Sequence, residues 1–182
     1  MISKDGEMMT NKITTTSLFE VYFSRNKEGE KNKKFSPSEK KEIINIIKLT
    51  ETCITKIISF SRTSPTAELY RIPIIFEKVS KTVFHKKHAN HHALLNYPPI
   101  GTIWNKTVKY EGIEIKAHTG IISLCPTEMN DMIETVSHEI IHAYMNSFLM
   151  DCGVNHHNHT YFLEGLTEWM TQLVYRTRET KE

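Results

Sequence analysis

The amino-acid sequence predicts a single α+β domain. Three observations carry that expectation. Three segments repeat apolar residues at helical spacing, short strand-like runs lie between the first and second of them, and 182 residues with 39% hydrophobic content can supply one core. Residues 1–35 are polar, with dense charge from Arg25 to Lys34, and read as a tail or loop ahead of a domain spanning 36–182. Ser36-Pro37-Ser38-Glu39 has the form of a capping box with proline at the first helical position. It opens a helix in which Ile43, Ile47, Ile54 and Ile58 share one side until Ser64-Pro65 ends it.

Strands follow. Ile72 to Val79 reads as one, and Pro73, which lacks an N–H, places it at a sheet edge. Lys81 to His85 is a second, and within Ile103 to Lys116 the pair Glu111-Gly112 forms a hairpin turn between two short runs. Gly120 to Cys125 is a further strand, so the expected sheet is small and mixed or antiparallel. From Thr127 to Met150 no glycine or proline intervenes, and Ile133, Val136, Ile140, Ile141, Tyr144 and Phe148 form an apolar stripe. Thr127 caps this helix, Glu128 and Asp131 suit the positive end of its dipole, and Gly153 stops it. In the last helix Phe162, Leu166, Trp169 and Leu173 make one apolar stripe, while Glu164 and Glu168 share another face.

Composition narrows the function. A net charge of +2 predicts neither a nucleic-acid nor a membrane partner, and no run approaches the length of a bilayer span. The start lacks the apolar core of a secretory signal, so the expected location is the cytoplasm, or another cell reached by a route that needs no signal peptide. Cys53, Cys125 and Cys152 are odd in number and lack C-x-x-C spacing, against a disulfide framework or a cysteine zinc site. The histidines between His85 and His92 lie beside Lys86 and Lys87 without acidic partners, and read as an exposed basic loop rather than a second metal site.

The chemistry is concentrated at His138-Glu139-Ile140-Ile141-His142. H-E-x-x-H on a helix puts two imidazoles on one face with a carboxylate beside them, the smallest pattern that sets up a hydrolytic zinc centre. With ten histidines in the chain, the pattern would arise by chance in roughly one shuffled sequence in twenty, so its setting matters. Here it sits mid-helix, where several rigid turns fix both imidazoles.

A third ligand is expected from the last helix, at Glu164, leaving the fourth position of one Zn2+ for water. Glu168 would then accept the free ring N–H of one histidine ligand. Such a site lowers the pKa of its water to about 7, and Glu139 is expected to take the proton and return it to the leaving amine. His156, His157, His159, Tyr161 and Tyr175 are all candidates to stabilise the oxyanion.

His138-Glu139-Ile140-Ile141-His142, followed by Glu164-Gly165-Leu166-Thr167-Glu168, resembles the gluzincins, zincin metallopeptidases in which a helix glutamate is the third ligand. The likeness covers roughly residues 120–176. It implies a zincin-like domain with an H-E-x-x-H helix and a C-terminal helix carrying the third ligand. The aminopeptidase signature is incomplete, since leucine precedes Glu164. Ile122-Ser123-Leu124 running into the same motif is also similar to the SprT/Spartan proteases, whose third ligand is a histidine. His157 stands at a suitable distance with Tyr161 four places on, but Asn158 replaces that family's glycine and Glu164-Gly165 would be unexplained.

The expected activity is therefore zinc-dependent endopeptidase action on a protein or peptide substrate, with the substrate backbone pairing at an edge strand. A zincin fold that binds or regulates without turnover, and a metal-free helical interaction protein, are the competing expectations.

Overall fold

The computed structural model describes residues 14–24, 34–60, 71–80, 93–96, 107–110, 113–116, 119–125, 129–151 and 160–179. Its elements run β1 (Thr14–Thr15), β2 (Phe19–Phe23), α1 (Pro37–Phe60), β3 (Ile72–Lys78), β4 (Ala93–Asn96), β5 (Thr107–Tyr110), β6 (Ile113–Lys116), β7 (Gly120–Leu124), α2 (Met129–Asp151) and α3 (Thr160–Glu179). This is the expected α+β class, with a mixed five-stranded sheet in the order β1-β2-β3-β7-β4. β2, β3 and β7 are parallel neighbours, and β1 and β4 lie antiparallel at the two ends. β5 and β6 pair separately, Tyr110 opposite Ile113, as the expected hairpin.

The sheet departs from the sequence reading at two points. The stretch taken as a polar tail contains β1 and β2, where Phe19, Val21 and Phe23 alternate into the core. Buried Glu51 of α1 holds their turn, accepting the Leu18 N–H at 2.8 Å and the Thr16 hydroxyl. β3 is central rather than an edge, with Ile74, Ile75 and Phe76 buried. Pro73 is tolerated because the β3–β7 ladder begins one residue later, at Ile74 opposite Gly120, so its missing N–H costs no bond to β7. The expected strand at 81–85 lies outside the described residues.

The capping box forms as read: the Ser36 N–H donates to Glu39 at 2.6 Å and the Glu39 N–H to the Ser36 hydroxyl at 3.2 Å. Glu39 also pairs with Lys78 at the end of β3, 2.8 Å away, tying the start of α1 to the sheet. Partial burial pushes the Glu39 carboxyl up, but Lys78 and the Ser36 hydrogen bonds together bring it below its ordinary value.

One core joins Phe19, Val21, Phe76, Ile122 and Leu124 of the sheet to Ile43, Ile47 and Ile54 of α1 and to Ile133, Val136, Ile140 and Ile141 of α2. Each such side chain contributes about 1.5–3 kcal/mol when fully buried. α2 is thereby packed between the sheet and the other two helices, and a fully buried hydroxyl pair, Thr50 and Ser137 at 3.0 Å, joins it to α1.

α3 turns part of its apolar stripe outwards. Phe162 and Trp169, two members of that stripe, are 69% and 53% exposed. The buried face is Leu163, Thr167, Met170, Thr171 and Val174. Threonine survives burial there because its hydroxyl finds a partner nearby, as Thr171 does in the Thr167 carbonyl at 2.9 Å. Among the described residues, no helix is long and apolar enough to cross a membrane.

Candidate metal centre

Tight packing of α2 against the sheet leaves one face turned towards α3, and His138 and His142 occupy it one turn apart. Their Nε2 atoms are 3.0 Å from each other. Glu164, on the first turns of α3, brings its Oε2 to 3.2 Å from His142 Nε2 and 3.5 Å from His138 Nε2. Three potential ligand atoms from two helices thus form a near-equilateral triangle.

The size of that triangle can be tested. A tetrahedral ion with bonds of about 2.0 Å has ligand atoms about 3.3 Å apart, and the three observed edges bracket this value. Glu164 is an exposed residue, so solvent reaches this corner of the site. Burial, then neighbouring His138, pulls the His142 pKa down, against an opposing pull from Glu164. A neutral imidazole is the form that binds metal. His138, His142 and Glu164 can therefore hold a metal ion.

Glu139, between the two histidines on α2, reaches β4 of the sheet. Its Oε2 accepts the Leu95 backbone N–H of β4 at 3.0 Å. Burial pushes its carboxyl up to about 7, a shift that the Leu95 hydrogen bond opposes and repulsion from Glu164 reinforces. A carboxyl poised near neutrality can both take and give a proton at physiological pH.

No family model, curated protein or solved structure matches this chain.

Around the triangle, each outward-facing ring nitrogen has a neighbour. Glu168 lies beside His138, with Oε2 3.8 Å from Nδ1: within ion-pair range but longer than a hydrogen bond. Gln172 donates to the other Glu168 oxygen at 3.1 Å. His142 Nδ1 instead faces the Thr167 hydroxyl at 3.4 Å.

The sequence gives little sign of Leu95, Thr167 or Gln172. Leu95 belongs to a four-residue strand hidden behind the histidine-rich run, and only the short apolar pair Leu94-Leu95 signalled it. Thr167 stands three places after Glu164, where no sequence pattern marks a threonine as the partner of an imidazole. His156, His157 and His159, Cys152, and the run His85 to His92 lie outside the described residues. Of the remaining oxyanion candidates, Tyr161 is almost fully exposed, and Tyr175 is half-buried beside the core.

Proposed function

We propose that this protein is a zinc-dependent endopeptidase of the zincin type, acting on a protein or peptide substrate. The observation that carries the proposal is the convergence of His138 Nε2, His142 Nε2 and Glu164 Oε2 at tetrahedral ligand spacing. Two imidazoles and a carboxylate also suit non-haem iron. The acid–base carboxylate of Glu139 one residue from a ligand favours hydrolysis, and with it zinc.

A zinc ion in this set supplies Lewis acidity, lowering the pKa of a water in its open position to about 7 and polarising a carbonyl. Glu139 takes up the proton released by the attacking water and delivers it to the departing amine nitrogen. Its burial serves that exchange, because a carboxyl of ordinary acidity would be too weak a base to accept the proton at pH 7.

Substrate positioning is assigned to β4, at one end of the five-stranded sheet and antiparallel to β7. An extended peptide laid along β4 adds a strand through main-chain hydrogen bonds. Since Glu139 binds the Leu95 N–H, such a peptide passes directly beside the catalytic carboxylate.

Zinc content and peptide cleavage measured on wild type and Glu139→Gln test the proposal. The variant should keep about one zinc per chain and lose cleavage by at least about 100-fold. Undiminished cleavage by the variant would remove Glu139 from the mechanism.

A further inference from the structure

Any histidine that gives its Nε2 lone pair to a metal must carry its proton on Nδ1, and that N–H needs an acceptor. The two candidate ligands differ in what stands there. Beside His138 is an exposed carboxylate, Glu168, at 3.8 Å and engaged by Gln172 on its other oxygen. Beside His142 is the hydroxyl of Thr167, 3.4 Å from Nδ1, on a residue 0% exposed. His142 is the more deeply placed of the two rings, at 15% side-chain exposure against 27%. Water therefore has less access to this ring, and the Thr167 hydroxyl is the protein group beside its Nδ1.

We propose that Thr167 is the positioning residue of His142, accepting the Nδ1–H so that Nε2 presents its lone pair to the ion held with His138 and Glu164. This rests on the metal reading above. Thr167 suits the role for two reasons. It sits on the buried face of α3 between Leu163 and Met170, and its β-branched side chain has few rotamers, so the hydroxyl stays where the helix puts it. A hydroxyl also both donates and accepts, whereas a carboxylate only accepts. Without metal, the Nε2–H tautomer can donate to Glu164, 3.2 Å away, while the Thr167 hydroxyl turns to donate to Nδ1. With metal the roles reverse, and the ring need not move. α3 thus supplies both a ligand, Glu164, and the orienting group of a ligand on α2, three residues apart.

The test measures zinc affinity of the full chain by competition with a chromophoric chelator, for wild type, Thr167→Val, Thr167→Ala and Thr167→Ser. Val and Ala should weaken zinc binding about 10–100-fold, while Ser, which keeps the hydroxyl, should stay close to wild type. Thermal unfolding of the metal-free variants separates a lost hydroxyl from lost folding. Nitrogen-15 spectra of zinc-loaded wild type need no variant and should show His142 protonated at Nδ1 and ligated at Nε2. Wild-type affinity in a folded Thr167→Val protein, or ligation through Nδ1, overturns the role of Thr167 while leaving the metal site standing. A wild type that takes up no zinc removes the site itself.

Discussion

α2 and α3 both carry residues of the metal site, yet only α2 buries the apolar stripe that its sequence advertises. In α2, Ile133, Val136, Ile140 and Ile141 all face the core. α2 lies against the sheet on one side and the other helices on the other, so its largest apolar face has only one place to go. α3 is peripheral, packed on α2 and α1, and it turns Phe162 and Trp169 outwards in favour of Leu163, Thr167, Met170, Thr171 and Val174.

The rotation has a functional consequence. At about 100° per residue, Glu164 stands roughly a quarter turn from the middle of the face α3 buries, close enough to the boundary to reach α2. Had Phe162, Leu166, Trp169 and Leu173 been buried instead, Glu164 would lie nearly opposite the core and out of reach of both histidines. An amphipathic helix at the edge of a fold can thus give up apolar burial to aim a ligand.

Denaturation in the presence of a chelator can break this comparison. Ile140→Ala should cost about 2–5 kcal/mol, because its side chain is fully enclosed. The exposed aromatics of α3 should matter less. Phe162→Ser and Trp169→Ser should each cost no more than about 1–2 kcal/mol, less than Ile140→Ala. A loss of several kcal/mol at either position would mean that α3 is turned the other way in solution.

Two pH profiles sharpen the picture. The Glu139 carboxyl is raised in the folded, metal-free protein to about 7, above its ordinary value of 4.5. The contribution of Glu139 to stability is then greatest below about pH 4.5 and is lost as pH rises through about 7, a swing of roughly 3 kcal/mol. Glu139→Gln should abolish that slope in metal-free protein, being more stable than wild type at pH 8 and no different at pH 4. Glu39 has the opposite sign. Its lowered pKa stabilises the fold at neutral pH, and the contribution disappears as pH falls through the folded value. Glu39→Gln should therefore cost about 0.5–1 kcal/mol at pH 7, with solvent screening already allowed for, and nothing in strong acid.

These contrasts also explain what the sequence could and could not reveal. Signals confined to a few neighbouring residues were readable: the Ser36–Glu39 capping box, the α2 stripe, the β5–β6 hairpin, and the four-residue spacing of His138 and His142. Sheet order was not, because the pairing of β3 with both β2 and β7 joins segments far apart in the chain. β2 was overlooked because the polar average of residues 1–35 masks the two-residue alternation of Phe19, Val21 and Phe23. The orientation of α3 was not legible, because Thr167 and Thr171 count as polar in a pattern but are fully buried in the fold. For the same reason Glu164 was readable as a ligand candidate while Thr167 was not.

The central claim is that two helices bring His138, His142 and Glu164 around one ion, and metal stoichiometry tests it most directly. Chains purified gently, supplied with zinc and desalted should contain about one zinc each by mass spectrometry in wild type and close to none in Glu164→Ala. Metal-free wild type, or a Glu164→Ala protein that keeps its full equivalent, would contradict it.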